Sequence, residues 1–217
     1  MAGKAYIGMG MEGATARWYE RNTARDMAEF RRLAGRIAER LPAGSAILEV
    51  APGPGFLAVE LAKRGFAVTG VDISRTFVAR ARGNADRANV RVRFEQGDAA
   101  RMPLPDQSFD FLVCRAAFKN FADPAGALKE MHRVLRPGAR GLIIDLRRDA
   151  SMADIGAYID GLGVSVWNRI VMKLIFRHML LPRAWRTDDF AALLQQSPFR
   201  HSEIVANAIG MEVWLDA

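Results

Sequence analysis

Cysteine is almost absent from this sequence, because Cys114 is the only one among 217 residues. A single cysteine excludes an intramolecular disulfide framework and a zinc site built from several cysteines. The sequence also lacks an uncharged apolar stretch of membrane-spanning length and a charged-then-apolar leader with a small-residue cleavage site. We therefore expect a soluble protein of the cytoplasm, and we expect no bound metal ion.

Long runs of one charge are missing as well. Lys and Arg number 31 against 24 Asp and Glu, which gives a net charge of +7 and a pI near 10.2. A basic protein attracts nucleic acid and anionic lipid. The basic residues here are mostly arginines scattered along the whole length, with no run of five or six. The excess is therefore weak evidence for either partner, and we expect no nucleic acid to bind.

The order of apolar runs indicates the fold class. From residue 45 onward, short apolar runs alternate with helical patterns, and buried strands separated by helices need crossover connections and a parallel sheet covered on both faces. The last two runs are joined closely enough to pair antiparallel. The predicted strands cover residues 47–50, 67–71, 90–94, 110–114, 141–145, 202–206 and 211–215, and the predicted helices cover 56–63, 75–84, 125–135, 162–181 and 188–196. We expect Pro137-Gly138 to end the helix 125–135.

The segment 49–55, Glu-Val-Ala-Pro-Gly-Pro-Gly, carries the strongest sign of ligand binding. Glycines after the first strand let the backbone approach a ligand closely, and Asp72 stands where an acid accepts the ribose hydroxyls of a nucleoside. The glycine spacing also fits a dinucleotide-binding fingerprint. Short-chain dehydrogenases carry a Tyr-x-x-x-Lys pair. Neither Tyr19 nor Tyr158 is followed by a lysine four residues later, which argues against that class. A plain strand-to-helix turn is the remaining alternative.

Three further segments join this loop in one pattern: 96–99 at the tip of the third strand, 102–110 before the fourth, and 133–145. Together, over residues 47–145, they resemble the class I S-adenosylmethionine-dependent methyltransferases, and within them the methyltransferase type 11 group with the ubiquinone and menaquinone C-methyltransferases. The resemblance implies a Rossmann-like, doubly wound α/β fold whose mostly parallel seven-stranded sheet has an antiparallel last strand. It also implies S-adenosyl-L-methionine as cofactor and S-adenosyl-L-homocysteine as product.

The resemblance implies which residues bind this cofactor. Glu49 helps to hold its amino group, Asp72 accepts the ribose hydroxyls, and Ile73 and Asp98 meet the adenine. The full set of implied cofactor residues is Tyr19, Glu49, Ala51, Pro52, Gly53, Gly55, Asp72, Ile73, Ser74, Gly97, Asp98, Ala99 and Arg115. Ala51 departs from the family, which usually has glycine there, so we expect a slightly less open loop.

A methyl group on a sulfonium is already activated, so the enzyme gains much of its rate by holding the acceptor in line and close. A base is needed only when the acceptor must lose a proton. The candidates near the cofactor are Lys119, Asn120 and Asp145. Their alternative roles are a solvated loop lysine, a turn residue and a cap of the following loop. Many relatives have a histidine-rich stretch at the place of residues 117–121. This difference argues against assigning this chain the histidine general base of those relatives.

The resemblance also divides the chain. One domain is expected over residues 1–217, with an N-terminal helical lid at 1–41, a cofactor-binding core at 45–149, a helical cap insertion between strands five and six at 150–186, and a C-terminal helix and strand pair at 187–217. In the lid, Met9 adds apolar surface and the Tyr19 hydroxyl approaches the methionine carboxylate. Closure of such a lid excludes water. The alternative is an amphipathic helix packed on the sheet.

Residues 162–181 form the apolar part of the cap, with Arg169, Lys173 and Arg177 at helical spacing on one stripe. Such a helix suits peripheral contact with anionic lipid, or it covers a hydrophobic acceptor. The alternative is a cap helix packed on the domain, with the three cations keeping one edge in water.

The leading hypothesis is methyl transfer to a small molecule, a hydrophobic or aromatic acceptor. Two others stay open: an RNA methyltransferase that uses the basic surface, and a cofactor-binding protein without methyl transfer. The first predicts binding that falls steeply with salt. The missing basic tract argues against it, whereas the unusual stretch 118–120 keeps the second hypothesis open.

Overall fold

The computed structural model of the chain describes Ile7 and residues 10–163 and 165–217; Met9 of the expected lid lies outside these residues. The strands are β1 (Ala46–Val50), β2 (Ala67–Asp72), β3 (Val92–Gln96), β4 (Phe109–Arg115), β5 (Leu135–Leu146), β6 (His201–Ala206) and β7 (Gly210–Asp216). In the part described they form one sheet in the order β3-β2-β1-β4-β5-β7-β6. Neighbours among β1 to β5 are parallel, whereas β7 runs antiparallel to both β5 and β6. The predicted α/β fold class, mostly parallel with an antiparallel last strand, is confirmed.

Helices cover both faces of this sheet. They are α1 (Gly13–Thr23), α2 (Met27–Ala38), α3 (Phe56–Ala62), α4 (Arg75–Arg87), α5 (Pro124–Val134), α6 (Met152–Gly161), α7 (Val166–Ile175) and α8 (Thr187–Gln195). One apolar core lies between the sheet and α5 with α8, and the other lies between the sheet and α2, α3 and α4. The helices α6 and α7 stand between β5 and β6 in the chain, where the insertion was expected.

The strand β4 illustrates why a central parallel strand has a continuous apolar sequence. Leu112 and Cys114 enter one core, and Phe111 and Val113 enter the other. Each of the four is at most 1% exposed, because helices cover both faces of the sheet. Burial also raises the pKa of the Cys114 thiol well above its usual value, so this cysteine stays protonated and unreactive.

The predicted helix 125–135 is confirmed to within one residue at each end, but the predicted start of the strand 141–145 is wrong. The helix α5 stops immediately before β5 begins, so Pro137-Gly138 lies inside a strand. The pairing of β5 with β4 changes register at this point, between Phe109 and Phe111. Such a bulge leaves residues out of the ladder, and proline is tolerated there because no strand hydrogen bond needs its missing N–H.

The predicted helix 162–181 is wrong at its start. A separate helix, α6, ends at Gly161, and Gly163 follows with a φ of +64°, a conformation that glycine adopts easily. Ser165 then caps α7, because its side chain accepts a hydrogen bond from the Asn168 N–H. The apolar sequence pattern continues across the break between α6 and α7, so the pattern does not reveal the break. Gly163 and Ser165 are the residues that indicate it.

Gly55 is the residue where the turn from β1 into α3 most needs glycine. Its φ is +76°, and a Cβ placed there would lie 2.8 Å from Ala81 Cβ and 2.9 Å from Phe94 Cζ. Gly65 has a similar φ of +85° but open space around it. We expect Gly55→Ala to lower the free energy of unfolding by roughly 2–4 kcal/mol and the matched Gly65→Ala by about 1 kcal/mol. Urea denaturation measures both, and equal losses would show that packing at Gly55 is unimportant.

Candidate functional site

The loops that follow β1, β2, β3 and β4 meet at one edge of the sheet. The order β3-β2-β1-β4 places the carboxyl ends of these parallel strands side by side. In open α/β sheets, ligands bind in the crevice at that edge. The expected cofactor residues in 49–55, 72–74 and 97–99, together with Arg115, all belong to these strand ends and loops, whereas Tyr19 comes from α1. The fold therefore brings the expected residues to one place.

The loop after β1 turns sharply at two residues. Ala51 and Gly53 have φ values of +57° and +54°. The Ala51 N–H donates to the Val71 carbonyl over 2.8 Å, which holds the turn against β2. Glycine adopts a positive φ freely, whereas alanine pays about 1–2 kcal/mol for it. The backbone at Ala51 thus has the left-handed conformation that glycine adopts more easily, and the alanine is strained there.

Glu49 is a buried acid near the end of β1. The residue is 3% exposed, and its Oε2 atom has no hydrogen-bond partner in the part of the chain that the structure describes. Burial raises the pKa of Glu49 to about 8, although a hydrogen bond from the Ala58 N–H and the charge of Arg115 act in the opposite direction. A buried carboxylate oxygen without a donor is costly. It marks a place for a cation or a donor that the described residues do not supply.

Asp72 ends β2 with its carboxylate held in a fixed orientation. Its Oδ1 accepts a hydrogen bond from the Ser74 N–H over 2.8 Å, and its Oδ2 accepts one from the Gly53 N–H over 2.9 Å. The residue is 5% exposed, and burial raises its pKa to about 6. A carboxylate offers about four lone pairs, so both oxygens can accept a further donor such as a hydroxyl.

The loop after β3 adds a polar edge beside an exposed apolar side chain. Ile73 is 37% exposed, directly after Asp72. The Gly97 N–H donates to the Asp72 carbonyl over 3.0 Å, which ties the ends of β2 and β3 together. Asp98 accepts a hydrogen bond from the Ala100 N–H over 2.9 Å. An apolar side chain beside an acid suits a flat heteroaromatic ring that carries an amino group.

The helix α1 packs on α4 and reaches the loop after β1. The Tyr19 ring meets Phe77 edge-on with centroids 5.6 Å apart, and its Cε1 lies 3.9 Å from the position that a Cβ on Gly53 would take. Asn84 of α4 donates to Glu20 over 3.0 Å and to the Pro54 carbonyl over 2.8 Å. Tyr19 therefore stands beside the glycine loop, and its contact with a cofactor stays a prediction.

Glu12, which holds the N-terminal segment beside Asp72, is a candidate site residue that the sequence did not predict. Its carboxylate accepts hydrogen bonds from the N–H groups of Arg75 and Thr76, over 3.0 and 3.1 Å. The neighbouring Met11 carbonyl accepts one from the Ser74 hydroxyl over 2.5 Å. A hydrogen bond from the Thr76 hydroxyl lowers the pKa of Glu12 most. These contacts fix the N-terminal segment to the first turn of α4, next to Asp72, across more than sixty residues of sequence.

Arg115 extends from the end of β4 toward α2. Its guanidinium donates to Glu29 Oε2 over 2.6 Å and lies 4.7 Å from the centre of the Phe30 ring. The side chain thus serves the contact with α2, and its positive charge offsets a part of the rise that burial causes in the pKa of Glu49. The backbone of Arg115 is the part that stays at the strand end, as the resemblance implies.

Lys119 and Asp145 form a buried ion pair. Lys119 Nζ lies 2.7 Å from Asp145 Oδ1 and 2.7 Å from the Ala116 carbonyl, and the two side chains are 6% and 1% exposed. Asp145 also accepts hydrogen bonds from the N–H groups of Lys119 and Leu146, over 3.0 and 2.8 Å. The alternative of a solvated loop lysine is therefore wrong. Asp145 binds the turn 118–120 and the last residue of its own strand, and these contacts do not make it a cap of the following loop. Asn120 ends a 3-10 turn, Phe118–Asn120.

Comparison with known proteins points to one family. Residues 48–143 match the family described as a methyltransferase domain. The demethylmenaquinone methyltransferase of Deinococcus radiodurans is 41% identical over 107 residues, which are 48% of this chain and 44% of that protein. The demethylmenaquinone methyltransferase of Thermus thermophilus is 38% identical over 135 residues, 61% of this chain and 56% of that protein.

A solved structure shares the fold over a longer stretch. The crystal structure of an S-adenosylmethionine-dependent methyltransferase from Aquifex aeolicus matches with a TM-score of 0.66 at 18% identity, and the match covers 88% of this chain and 98% of the other. The chain spans about half the length of the curated relatives it matches. The family match, residues 48–143, runs from β1 into β5 and includes the strand ends and loops of the candidate site.

Proposed function

We propose that this chain, which belongs through residues 48–143 to the class I S-adenosylmethionine-dependent methyltransferases, transfers a methyl group from S-adenosyl-L-methionine to a small apolar acceptor. The family expected from the sequence is confirmed, and S-adenosyl-L-methionine is the cofactor of that family. The activity of the whole protein and the class of acceptor are the parts that we add.

The observation that carries the proposal is that Glu49 Oε2 has no hydrogen-bond partner among the residues that the structure describes. An ammonium group, such as the one on the amino-acid end of the cofactor, is the kind of partner that this buried oxygen lacks. Asp72 has lone pairs left for the ribose hydroxyls, and Ile73 with Asp98 fits the adenine. When bound, the cofactor supplies a methyl group on a positively charged sulfur, already activated for transfer.

The chain itself contributes by holding both reactants in place and keeping water away. Lys119 and Asp145 form their hydrogen bonds with each other and with backbone groups. We therefore propose positioning roles for them, because they tie the turn 118–120 to the end of β5. A role of Lys119, Asn120 or Asp145 as a base stays a prediction. In the same proposal, the N-terminal helices act as a lid and residues 150–186 as a cap.

The proposed acceptor is a small aromatic molecule of the quinone type, handled in the cytoplasm without a nucleic-acid partner. Two relatives are demethylmenaquinone methyltransferases, which supports this class. The turn after β4 rests on an aromatic core. Phe118, which is fully buried, packs against Phe121 with ring centroids 5.3 Å apart and against Trp185 at 6.4 Å. These rings support the turn 118–120 from behind, so the class of acceptor rests on the relatives.

Calorimetric titration with S-adenosyl-L-methionine and S-adenosyl-L-homocysteine tests the cofactor site. Asp72→Ala would also strip two buried N–H groups of their acceptor, so the isosteric Asp72→Asn is the sharper variant. We expect its dissociation constant to rise about 10–100-fold, because a charged acceptor is lost. Asp86→Asn, at an exposed position of α4, is the matched control and should bind like the unchanged protein.

The outcomes separate the competing functions. No heat with either ligand, but heat with a nicotinamide dinucleotide, would overturn the proposal in favour of a dehydrogenase. If the protein binds S-adenosyl-L-methionine but transfers no labelled methyl group to a naphthoquinol, the result would favour a cofactor-binding protein without methyl transfer. Transfer to RNA instead, with affinity that falls steeply with salt, would establish the nucleic-acid alternative.

A further inference from the structure

The helix α7 presents apolar side chains to solvent along most of its length. Its outer face consists of Val166, Trp167, Ile170, Val171 and Leu174, which are between 47% and 78% exposed. In the described part of the chain, no residue of α7 is buried. A surface helix of a globular protein normally turns its apolar side toward the core. A contiguous exposed apolar face marks an interaction site.

The inner face of α7 is the more polar one. Arg169 Nε lies 3.0 Å from Asp160 Oδ1 near the end of α6. Lys173 Nζ lies 3.4 Å from the position that a Cβ on Gly156 would take, so this lysine leans on α6 as well. Met172 also packs against the apolar cluster of α6, so the alternative of a helix packed on the domain holds for this side, although Arg169 and Lys173 lean on α6 and do not form a separate wet edge. The side chains of the outer face point to the water instead.

The segment 165–186 carries positive charge only. It contains the cations Arg169, Lys173, Arg177, Arg183 and Arg186 and no Asp or Glu. Arg177, Arg183 and Arg186 are exposed and follow the outer face along the chain. An apolar face edged by exposed cations is complementary to a surface with acyl chains below and anionic phosphates around it.

We propose that α7 docks this protein on the surface of an anionic lipid bilayer. The outer face enters the boundary between headgroups and acyl chains, and the exposed arginines contact lipid phosphates. Because its apolar side chains lie on one outer face, α7 is placed along the bilayer surface. Among the described residues, no helix has both the length and the apolar character to cross a membrane. This docking does not depend on methyl transfer, because the same face would serve a protein of any activity.

Charge argues against a second copy of the chain as the occupant of this face. Two copies joined through α7 would bring together two segments that each carry cations and no carboxylate. Like charges at an interface are costly unless counter-charges lie between them. Anionic lipid provides the apolar environment and the counter-charges at once.

Vesicle flotation tests the proposal. We expect the protein to float with vesicles of phosphatidylcholine mixed with phosphatidylglycerol and not with phosphatidylcholine alone. Val171→Glu places a charge in the outer face, and Val205→Glu on β6 is its matched control, since the two valines are 51% and 45% exposed. The partition constant should fall at least about tenfold in the first variant and stay unchanged in the second.

Thermal unfolding shows whether both variants are folded, and Arg177→Glu with Arg183→Glu gives an independent measurement through charge. This double variant should lose at least about tenfold in the same partition constant. Equal binding of Val171→Glu and Val205→Glu would overturn the proposal, as would absence of binding to the anionic vesicles. A dimer in light scattering that Val171→Glu dissociates would assign the face to a second copy instead.

Discussion

Replacement of Glu49 by glutamine is expected to stabilise the cofactor-free protein while it abolishes measurable binding of S-adenosyl-L-methionine. Burial raises the pKa of Glu49 to about 8, and its Oε2 has no partner among the described residues, so ionisation opposes folding. A neutral amide avoids up to roughly 3 kcal/mol of this cost at pH 7, since one pKa unit is worth about 1.4 kcal/mol. The amide cannot form an ion pair with an ammonium group, so the affinity should fall about 100-fold or more.

The pH dependence of stability follows from the same burial. Glutamate has an ordinary pKa of 4.5, and Glu49 titrates near 8, so between these values the native state binds more protons than the unfolded state. The free energy of unfolding of the cofactor-free protein therefore falls as the pH rises through this window. Asp72, whose pKa burial raises to about 6, adds to the fall at lower pH. Glu49→Gln should remove the part above pH 6, which denaturation at a series of pH values measures.

Glu60 offers a matched control for this substitution. It is also 3% exposed, but it pairs with Lys63 at 2.8 Å and with Arg64 at 3.3 Å. Although burial alone would raise its pKa, hydrogen bonds from these two cations lower it. Glu60→Gln should therefore destabilise the protein and leave cofactor affinity unchanged. A loss of stability in Glu49→Gln as well would show that Glu49 is already satisfied and is no site for a cation.

Lys119→Met is expected to destabilise the protein by about 3–5 kcal/mol, because it leaves the carboxylate of Asp145 buried without its cation. The double variant Lys119→Met with Asp145→Asn removes both charges and should recover most of that loss. Urea denaturation of the two single variants and the double variant gives the coupling energy. If the losses simply add, the pair is not coupled and does not hold the turn 118–120 in place.

The same variants separate positioning from acid–base chemistry. If Lys119 or Asp145 acts as a base, the folded double variant should lose about 10²–10⁴-fold in kcat with little change in cofactor affinity. If the two residues only position the turn, we expect a smaller change in kcat and a rise in KM for the acceptor. Rates measured against pH provide the second readout, since loss of a base removes an ionisation from the profile and loss of a positioning contact does not.

The sequence predicts which segments meet at the candidate site because these segments are tied to strand ends. The segment 49–55 leads from β1 into α3, and Asp72 is the last residue of β2, so recognising two neighbouring parallel strands already brings them to one edge. The strand β3 lies two residues later than predicted. The reason is local: Asn89, with a φ of +52°, turns the chain just before Val90, which had been included for its apolar side chain.

The features that sequence patterns hide depend on distant partners. Glu12 meets the first turn of α4 across 63 residues, and Lys119 meets Asp145 across 26, and no spacing rule connects such positions. The outward orientation of α7 is hidden for a related reason. An apolar stripe at helical spacing looks the same whether a core or solvent covers it, so the packing of Arg169 and Lys173 on α6 is what reveals which side faces inward.

The order of the strands also sets the timing of folding. β7 lies between β5 and β6 in the sheet although it follows both in the chain, so β6 has no strand to pair with until β7 has been synthesised. Arg36 of α2 donates to both carboxylate oxygens of Glu212 in β7, over 2.7 and 2.6 Å, across 176 residues. Contacts of such separation form late because closing a long loop costs entropy. We therefore expect a nascent chain to assemble β1 to β5 first and to add β7 and β6, with the contact between Arg36 of α2 and Glu212 of β7, last.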